Sequence, residues 1–270
     1  MSKLQTQFGT WSIVTGASSG IGKEFAYQLA QQGYNLILLA RREHILQEIA
    51  EDLINTHHIK VKFQSLDLST ELMVDDLDRL TQRLDVGLLI SNAGDGRMGA
   101  FNKIPIESLE RMIQLNVTSH LQLSHWFTSK LLQQNKKGGL ILISSTTAFQ
   151  GTPYAANYSA SKAYVLNFGE ALNYELKDKG IYVSVLVPGP TNTPGLTENK
   201  DADLASHLPT KPQEVNHLVK EGLNGLSKNL PSKIGGSTNR IMYKMMKLTM
   251  SRKSASAFWG KMMKKMVNLK

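Results

Sequence analysis

Short unbroken apolar runs recur through the first two-thirds of the chain, and between them apolar positions return every three or four residues. Trp11 to Thr15, Asn35 to Ala40 (NLILLA), Lys60 to Leu66, Gly87 to Ser91, Gly139 to Ser144 (GLILIS) and Ile181 to Val187 (IYVSVLV) therefore read as strands. Several are apolar at every position, the mark of a strand covered on both faces. Helices are expected over Lys23 to Gln32, stopped by Gly33, over Glu43 to Asn55, over about 72–84, along a long span from Ile106 to Gln134, and over Tyr158 to Lys179. Strand and helix in alternation predict a parallel sheet with helices on both sides, a doubly wound α/β fold. Pro188-Gly189-Pro190 ends the last of these strands, and the polar stretch from about Thr191 to Pro212 reads as a mobile loop over the site.

Composition narrows this picture. With 270 residues and 41% hydrophobic content, the chain suits one domain with a sizeable core. Cysteine is absent, which excludes disulfides and thiolate metal sites, and the seven histidines show no ligand spacing, so no metal is expected. The first residues lack the apolar core of a signal peptide, and no uncharged apolar run reaches about 18 residues. A soluble, cytoplasmic protein is the expectation.

The net charge of +9 is uneven: nine basic residues and no acidic one fall between Arg240 and Lys270, while the preceding residues balance at 22 against 22. The excess belongs to a tail, so nucleic-acid binding by the whole protein is not expected. We divide the chain into a catalytic domain, 1–238, and a basic helical extension, 239–270. Seven of the eleven methionines lie in that extension. Met242, Met245 and Met246, then Trp259, Met262, Met263 and Met266, keep helical spacing and predict two amphipathic helices separated by Ser251 to Ala257. Their apolar stripes can pack on the domain or on another subunit, lie on a membrane surface, or meet an acidic partner.

Between the first strand and first helix, TGASSGIG brings Gly16, Gly20 and Gly22 to a tight turn. Such a turn lets backbone approach a phosphate, and the helix N-terminus attracts the anion. Tyr158 and Lys162 lie four residues apart in YSASK, on one helical face, and Ser145 lies thirteen residues before the tyrosine. A cation about 4 Å from a phenol, at an effective dielectric near 20, supplies roughly 4 kcal/mol toward the phenolate. That corresponds to lowering its pKa by about three units, which makes Tyr158 a general acid or base near neutrality. Alone, the pair also describes an ordinary surface contact; its company separates the two.

That company resembles the short-chain dehydrogenase/reductase family. In the family's order the chain carries TGASSGIG, Asp67-Leu68, Asn92-Ala93-Gly94, Asn116, Ser145, YSASK and Pro188-Gly189, over roughly residues 10 to 195. The resemblance implies a Rossmann-type sheet and a nicotinamide cofactor held by Gly16, Ser18, Ser19, Gly20, Ile21 and Gly22. It implies that Tyr158 hands a proton to a carbonyl oxygen, that Ser145 polarises it, and that Lys162 lowers the tyrosine pKa and bonds the nicotinamide ribose. Asn116 would bend its helix and hold a water. Asp67 and Leu68 would flank adenine, Asn92, Ala93 and Gly94 would pack under its ribose, and Pro188, Gly189, Thr191 and Thr193 would meet carboxamide and phosphates.

Arg41 and Arg42 follow the second strand, where NAD-preferring relatives carry an acid. An arginine fork there suits a 2′-phosphate and favours NADP(H) over NAD(H), although Ser19 stands where many NADP-dependent relatives are basic. Met98, Phe101, Phe149, Tyr154 and Leu196 are expected around an apolar substrate pocket. The function implied is an NADPH-dependent carbonyl reductase or secondary alcohol dehydrogenase acting on a small molecule, in a homodimer or homotetramer. The competing expectation is a catalytically silent cofactor-binding scaffold or sensor that acts through its basic tail; under either reading the tail can also make a peripheral membrane contact.

Overall fold

The structure, a computed structural model, describes residues 3–70, 74–197, 208 and 211–267. Seven strands form one parallel sheet in the order β3-β2-β1-β4-β5-β6-β7. They are β1 (Trp11–Thr15), β2 (Asn35–Ala40), β3 (Val61–Ser65), β4 (Val86–Ser91), β5 (Gly138–Ile143), β6 (Ile181–Val187) and β7 (Ser232–Ile234). The order reverses beside β1, whose neighbours are β2 and β4, so a crevice opens where their carboxyl ends part.

The unbroken apolar runs have a direct reason. Leu36 and Leu38 of β2 enter one core with Val14, Leu88 and Ile90, while Ile37 and Leu39 enter the other with Ile13, Leu89 and Leu140. Successive side chains point to opposite faces of a strand, and here both faces are dry. The first core is closed by α2 (Gly20–Gln31), α3 (Glu43–His57) and α9 (Val215–Ser227), through Phe25 and Leu29, Leu46 and Leu53, and Leu218 and Leu226. The second is closed by α4 (Val74–Thr81), α6 (Ser119–Gln133) and α7 (Ala156–Leu176), through Leu77, Leu123 and Phe127, and Val165. Each such fully buried Leu, Ile or Phe contributes roughly 1.5–3 kcal/mol of apolar burial.

Among the elements not foreseen are α1 (Lys3–Phe8), α9 and β7. The long span expected from Ile106 to Gln134 is α5 (Ile106–Ile113), a π-helical turn (Gln114–Thr118) and α6. After β6, Pro194–Thr197 form a short helix, α8; the expected mobile loop falls mostly on residues outside those described.

The extension forms α10 (Ser237–Thr249) and α11 (Arg252–Met266). The break is shorter than expected, because the Ser251 hydroxyl accepts a hydrogen bond from the Ser254 amide at 3.2 Å and starts α11 at Arg252. The stripe of Met242, Met245 and Met246 does not face inward as a unit: Asn239 and Tyr243 take the buried face of α10 and leave Met245 60% exposed. Tyr243 decides this by packing its ring on Phe149, 4.4 Å between centroids, and donating its hydroxyl to the Thr146 carbonyl. Among the described residues no helix is long and apolar enough to cross a membrane.

Candidate active site

At the end of β1 the chain turns through Gly16, whose φ of +65° is a left-handed conformation that side chains disfavour. Thr15 ties this turn to β4: its hydroxyl accepts the amides of Asn92 (2.8 Å) and Ala93 (3.0 Å), and its carbonyl accepts Asn92 Nδ2 (2.9 Å). Gly16, Ser18, Ser19, Gly20 and Ile21 line one end of a cleft of about 660 Å³ that runs along the carboxyl edge of the sheet. Gly22 does not line it. A Cβ there would lie 2.3 Å from the Gly16 carbonyl oxygen, so Gly22 is where α2 presses against the turn from behind.

The other end of the cleft belongs to α7 and the end of β5. Tyr158, Lys162, Ser144 and Ser145 all line it. Ser144 is buried and gives its hydroxyl to the Lys162 carbonyl at 2.7 Å, which leaves Ser145 as the serine beside Tyr158, as the strand alternation predicts. Burial pushes the Tyr158 phenol above its ordinary pKa; a hydrogen bond with Ser145 pulls the other way, and the nearby Asp95 carboxylate raises it again. Lys162 is 4% exposed, and burial lowers its ammonium to about 8. Its Nζ donates to the Ile143 carbonyl at 3.1 Å and stands 5.9 Å from the Tyr158 ring centre. The geometry differs here from the expectation that Lys162 lowers the tyrosine pKa: the ammonium is turned to a carbonyl, and desolvation dominates both groups. Burial thus favours the neutral phenol.

Asn116 sits in the π-helical turn, fully buried behind the cleft rather than on its wall. Its Oδ1 accepts the Asp95 amide (2.9 Å), and its Nδ2 donates to the Asp95 carbonyl (2.8 Å) and the Ser161 hydroxyl (3.1 Å). The turn is π-helical, and the amide group holds the Asp95 backbone from both its oxygen and its nitrogen. Gly94 lies between these groups: a Cβ on it would come 3.1 Å from Lys162 Nζ and 3.3 Å from Asn116 Oδ1.

One turn further, His120 is a residue the sequence did not single out. Its Nδ1 is 2.7 Å from Ser91 Oγ and its Nε2 3.2 Å from the Ala93 carbonyl, in complete burial. A carbonyl can only accept, so Nε2 carries the proton and Nδ1 accepts the Ser91 hydroxyl. Burial, with the Lys162 charge adding to it, lowers its pKa to about 3. The unfolded chain takes up a proton below about pH 6.5 while the folded protein does not until about 3, so stability falls with pH across that window. Between pH 6.5 and pH 5 the loss from this residue should approach roughly 2 kcal/mol. Urea melts at the two pH values should show that loss shrinking in His120→Gln; an equal loss in both proteins would remove His120 as its source.

Arg41, Arg42, Asp67 and Leu68 line the cleft beyond the glycine turn. Arg42 reaches back to Ser18, its Nη2 2.9 Å from the hydroxyl and 3.2 Å from the carbonyl. Burial alone would raise the Asp67 carboxyl, but hydrogen bonds from the Ser69 hydroxyl and amide and the Arg111 and Arg41 charges hold it below the usual range. Asn92 and Ala93 line the middle, and Pro188, Gly189, Thr191 and Thr193 the lip opposite. These groups fit a dinucleotide. A Cβ on Gly20 would touch Thr193 at 3.4 Å across the turn, the arginines stand at its outer end, and Lys162, with three donors, spends one on Ile143.

Of the residues expected around substrate, Met98 and Leu196 line the cleft. Phe149 and Tyr154 do not: Phe149 meets the Tyr243 ring at a tilt of 49°, and Tyr154 packs in the apolar cluster of Met263 and Met266. Phe101 is 64% exposed and lies outside the cleft as well. The wall that was missed comes from the extension, where Trp259, Met262, Met263 and Met266 of α11 and Tyr243 of α10 close the mouth. Tyr158 packs with the same methionine cluster. The inward stripe of α11 was visible as helical spacing, but not what it would cover.

The model of the short chain dehydrogenase family matches residues 10–204. The chain is 32% identical over 241 residues to the 7beta-hydroxysteroid dehydrogenase of Mediterraneibacter gnavus, spanning 88% of this chain and 90% of that protein. A solved structure from work on 7beta-hydroxysteroid dehydrogenase stereoselectivity superposes with a TM-score of 0.85 at 27% identity, over 96% of this chain and 99% of the other. A short-chain dehydrogenase from Sphingobium yanoikuyae in complex with NADPH superposes with a TM-score of 0.78 at 29% identity, over 88% and 92% of the two chains. With the family model spanning most of the chain and relatives alike along nearly all of it, the protein belongs to the short-chain dehydrogenases, oxidoreductases that act on CH–OH groups.

Proposed function

We propose that the protein is an NADPH-dependent reductase of a bulky, mainly apolar ketone of the hydroxysteroid kind, reversible as a secondary alcohol dehydrogenase. The observation that carries this reading is the meeting of Tyr158, Ser145 and Lys162 in one cleft with a glycine turn at its far side and a methionine wall at its mouth. In the reductive direction Ser145 donates a hydrogen bond to the ketone oxygen and orients it. NADPH held along the cleft would supply the hydride to the carbonyl carbon. Tyr158 gives its phenolic proton to the same oxygen and recovers one from solvent, while Lys162, with donors left beyond the Ile143 carbonyl, holds the nicotinamide ribose. Asn116 keeps Asp95 and the backbone under Lys162 in position. The extension belongs to the catalytic unit in this reading, because α11 contributes wall to the pocket. A homodimer or homotetramer through α6 and α7 completes it, supported by the exposed Leu121, Leu132 and Tyr164 on those helices.

The preference for NADPH rests on Arg41 and Arg42. Charge-assisted hydrogen bonds to a phosphate are worth about 1.5–3 kcal/mol. Replacing both arginines with alanine should therefore raise the KM for NADPH roughly 10- to 100-fold and leave that for NADH nearly unchanged. Equal KM values for the two cofactors in the unaltered protein would remove the argument. The wider reading is tested by following NADPH oxidation over a panel of hydroxysteroid ketones and small aliphatic ketones. Binding of NADPH with turnover of none of them would favour the silent scaffold instead.

A further inference from the structure

Helix α10 wears its apolar residues on the wrong side for a helix packed on a domain. Its buried face is Asn239 and Tyr243, while Ile241, Met245 and Leu248 stand 61%, 60% and 77% exposed at spacings of four and three residues. Those positions lie within roughly 60° of one another around the helix, and Lys244 and Lys247 flank them on one side. The next helix adds Phe258, 48% exposed, and the exposed Lys261, Lys264 and Lys265, on the side of α11 away from the buried Met263 and Met266. Arg240 is paired with Glu221 at 2.6 Å, and from Arg240 onward the chain has no acidic residue to offset the lysines.

We propose that α10 and α11 dock the protein on an anionic lipid surface, with Ile241, Met245 and Leu248 entering the boundary of the bilayer and the lysines beside them meeting headgroup charge. An apolar stripe edged by lysines on a helix too short to span is the composition of an interfacial helix. Charge chooses this occupant over two others. A second copy of the chain would bring two sets of these lysines together across a twofold axis, with no carboxylate in the segment to relieve them. A nucleic acid would answer the lysines but has no use for Ile241 and Leu248, which would remain in water. The inward faces of the same helices carry Tyr243, Trp259 and Met262 into the cleft, so the docked surface and the pocket mouth share their walls. An apolar substrate dissolved in the bilayer would then have a short path to the site.

The proposal does not rest on the redox reading, because lipid binding is measured without cofactor or substrate. Full-length protein is sedimented with vesicles of phosphatidylcholine alone or of phosphatidylcholine mixed with phosphatidylglycerol. We expect partition into the mixed vesicles to exceed that into neutral ones by about tenfold or more, and to fall with added salt. The double variant Met245→Glu, Leu248→Glu should lose about tenfold in partition, and Lys244→Ala and Lys247→Ala about fivefold each. Thermal melting shows that each variant is folded, and the lysine variants carry the test if the glutamates disturb the helix. Equal partition into the two vesicle types, or none, overturns the proposal. So does a change in solution mass by light scattering in the glutamate variant with vesicle binding intact, which would show that a second copy covers this face.

Discussion

Replacement of Tyr158 by phenylalanine should lower kcat for ketone reduction by about 10²–10⁴-fold and leave NADPH affinity essentially unchanged. The change removes one oxygen from a ring that stays packed beside Met98, Leu196 and the α11 methionines, so the pocket keeps its shape. What is lost is the proton. Burial holds the phenol above its ordinary pKa, and Lys162, near 8, is turned to the Ile143 carbonyl. Steady-state rates with the best ketone of the panel, together with NADPH titration by fluorescence, separate the two effects. A Tyr158→Phe protein that keeps a tenth or more of the activity would show that another group or water gives the proton.

The second large effect should come from one methyl group. In Gly22→Ala the new carbon would stand 2.3 Å from the Gly16 carbonyl oxygen and 2.5 Å from Asn92 Nδ2. Neither neighbour can step aside cheaply. The oxygen is backbone in a turn at positive φ, and Asn92 Nδ2 is held by the Thr15 carbonyl at 2.9 Å. Overpacking of this kind costs about 1–3 kcal/mol, and relief has to come from moving α2 off the turn. With the turn holding the cofactor phosphates, as proposed, NADPH affinity should fall with stability. Gly151→Ala, where nothing lies within 4 Å of the added carbon, serves as the neutral control. Urea unfolding and NADPH titration on the two variants decide the matter. A Gly22→Ala protein as stable and as tightly binding as the control would mean that the turn is more yielding than its contacts say.

Much of the fold was legible because its strands are dry on both faces: Leu36 to Leu39 announce a central strand without help from tertiary context. The three-residue β7 has only partly buried side chains and leaves no such trace. Helix α9 did leave one, since Leu218, Val219, Leu223 and Leu226 keep helical spacing, and it was passed over beside a loop rich in turn residues. At the site, the glycine turn was legible because its residues are contiguous between β1 and α2, and Tyr158 and Lys162 because four-residue spacing puts them on one face of α7, with Ser145 marked by its place at the end of β5. His120 was not, because its partners Ser91 and Ala93 come from another element and meet it only in the folded protein. The stripe on α10 misled for a different reason. Met242, Met245 and Met246 compete with Tyr243 for the inner face, and only the ring of Phe149 and the carbonyl of Thr146 settle which residue wins.

The methionine wall has a consequence for how this enzyme can change. In the proposed reaction, proton transfer would fall to β5 and α7 and dinucleotide binding to the turns after β1, β2 and β4 and the lip from Pro188 to Thr193; the mouth of the pocket is closed by α11, later in the chain. Altering Met262, which lines the mouth, would reshape the volume that admits the proposed ketone without replacing Ser145, Tyr158 or Lys162. Selectivity and chemistry are thus inherited on separate stretches of the chain, and the first can drift, or be redesigned, while the second is held constant.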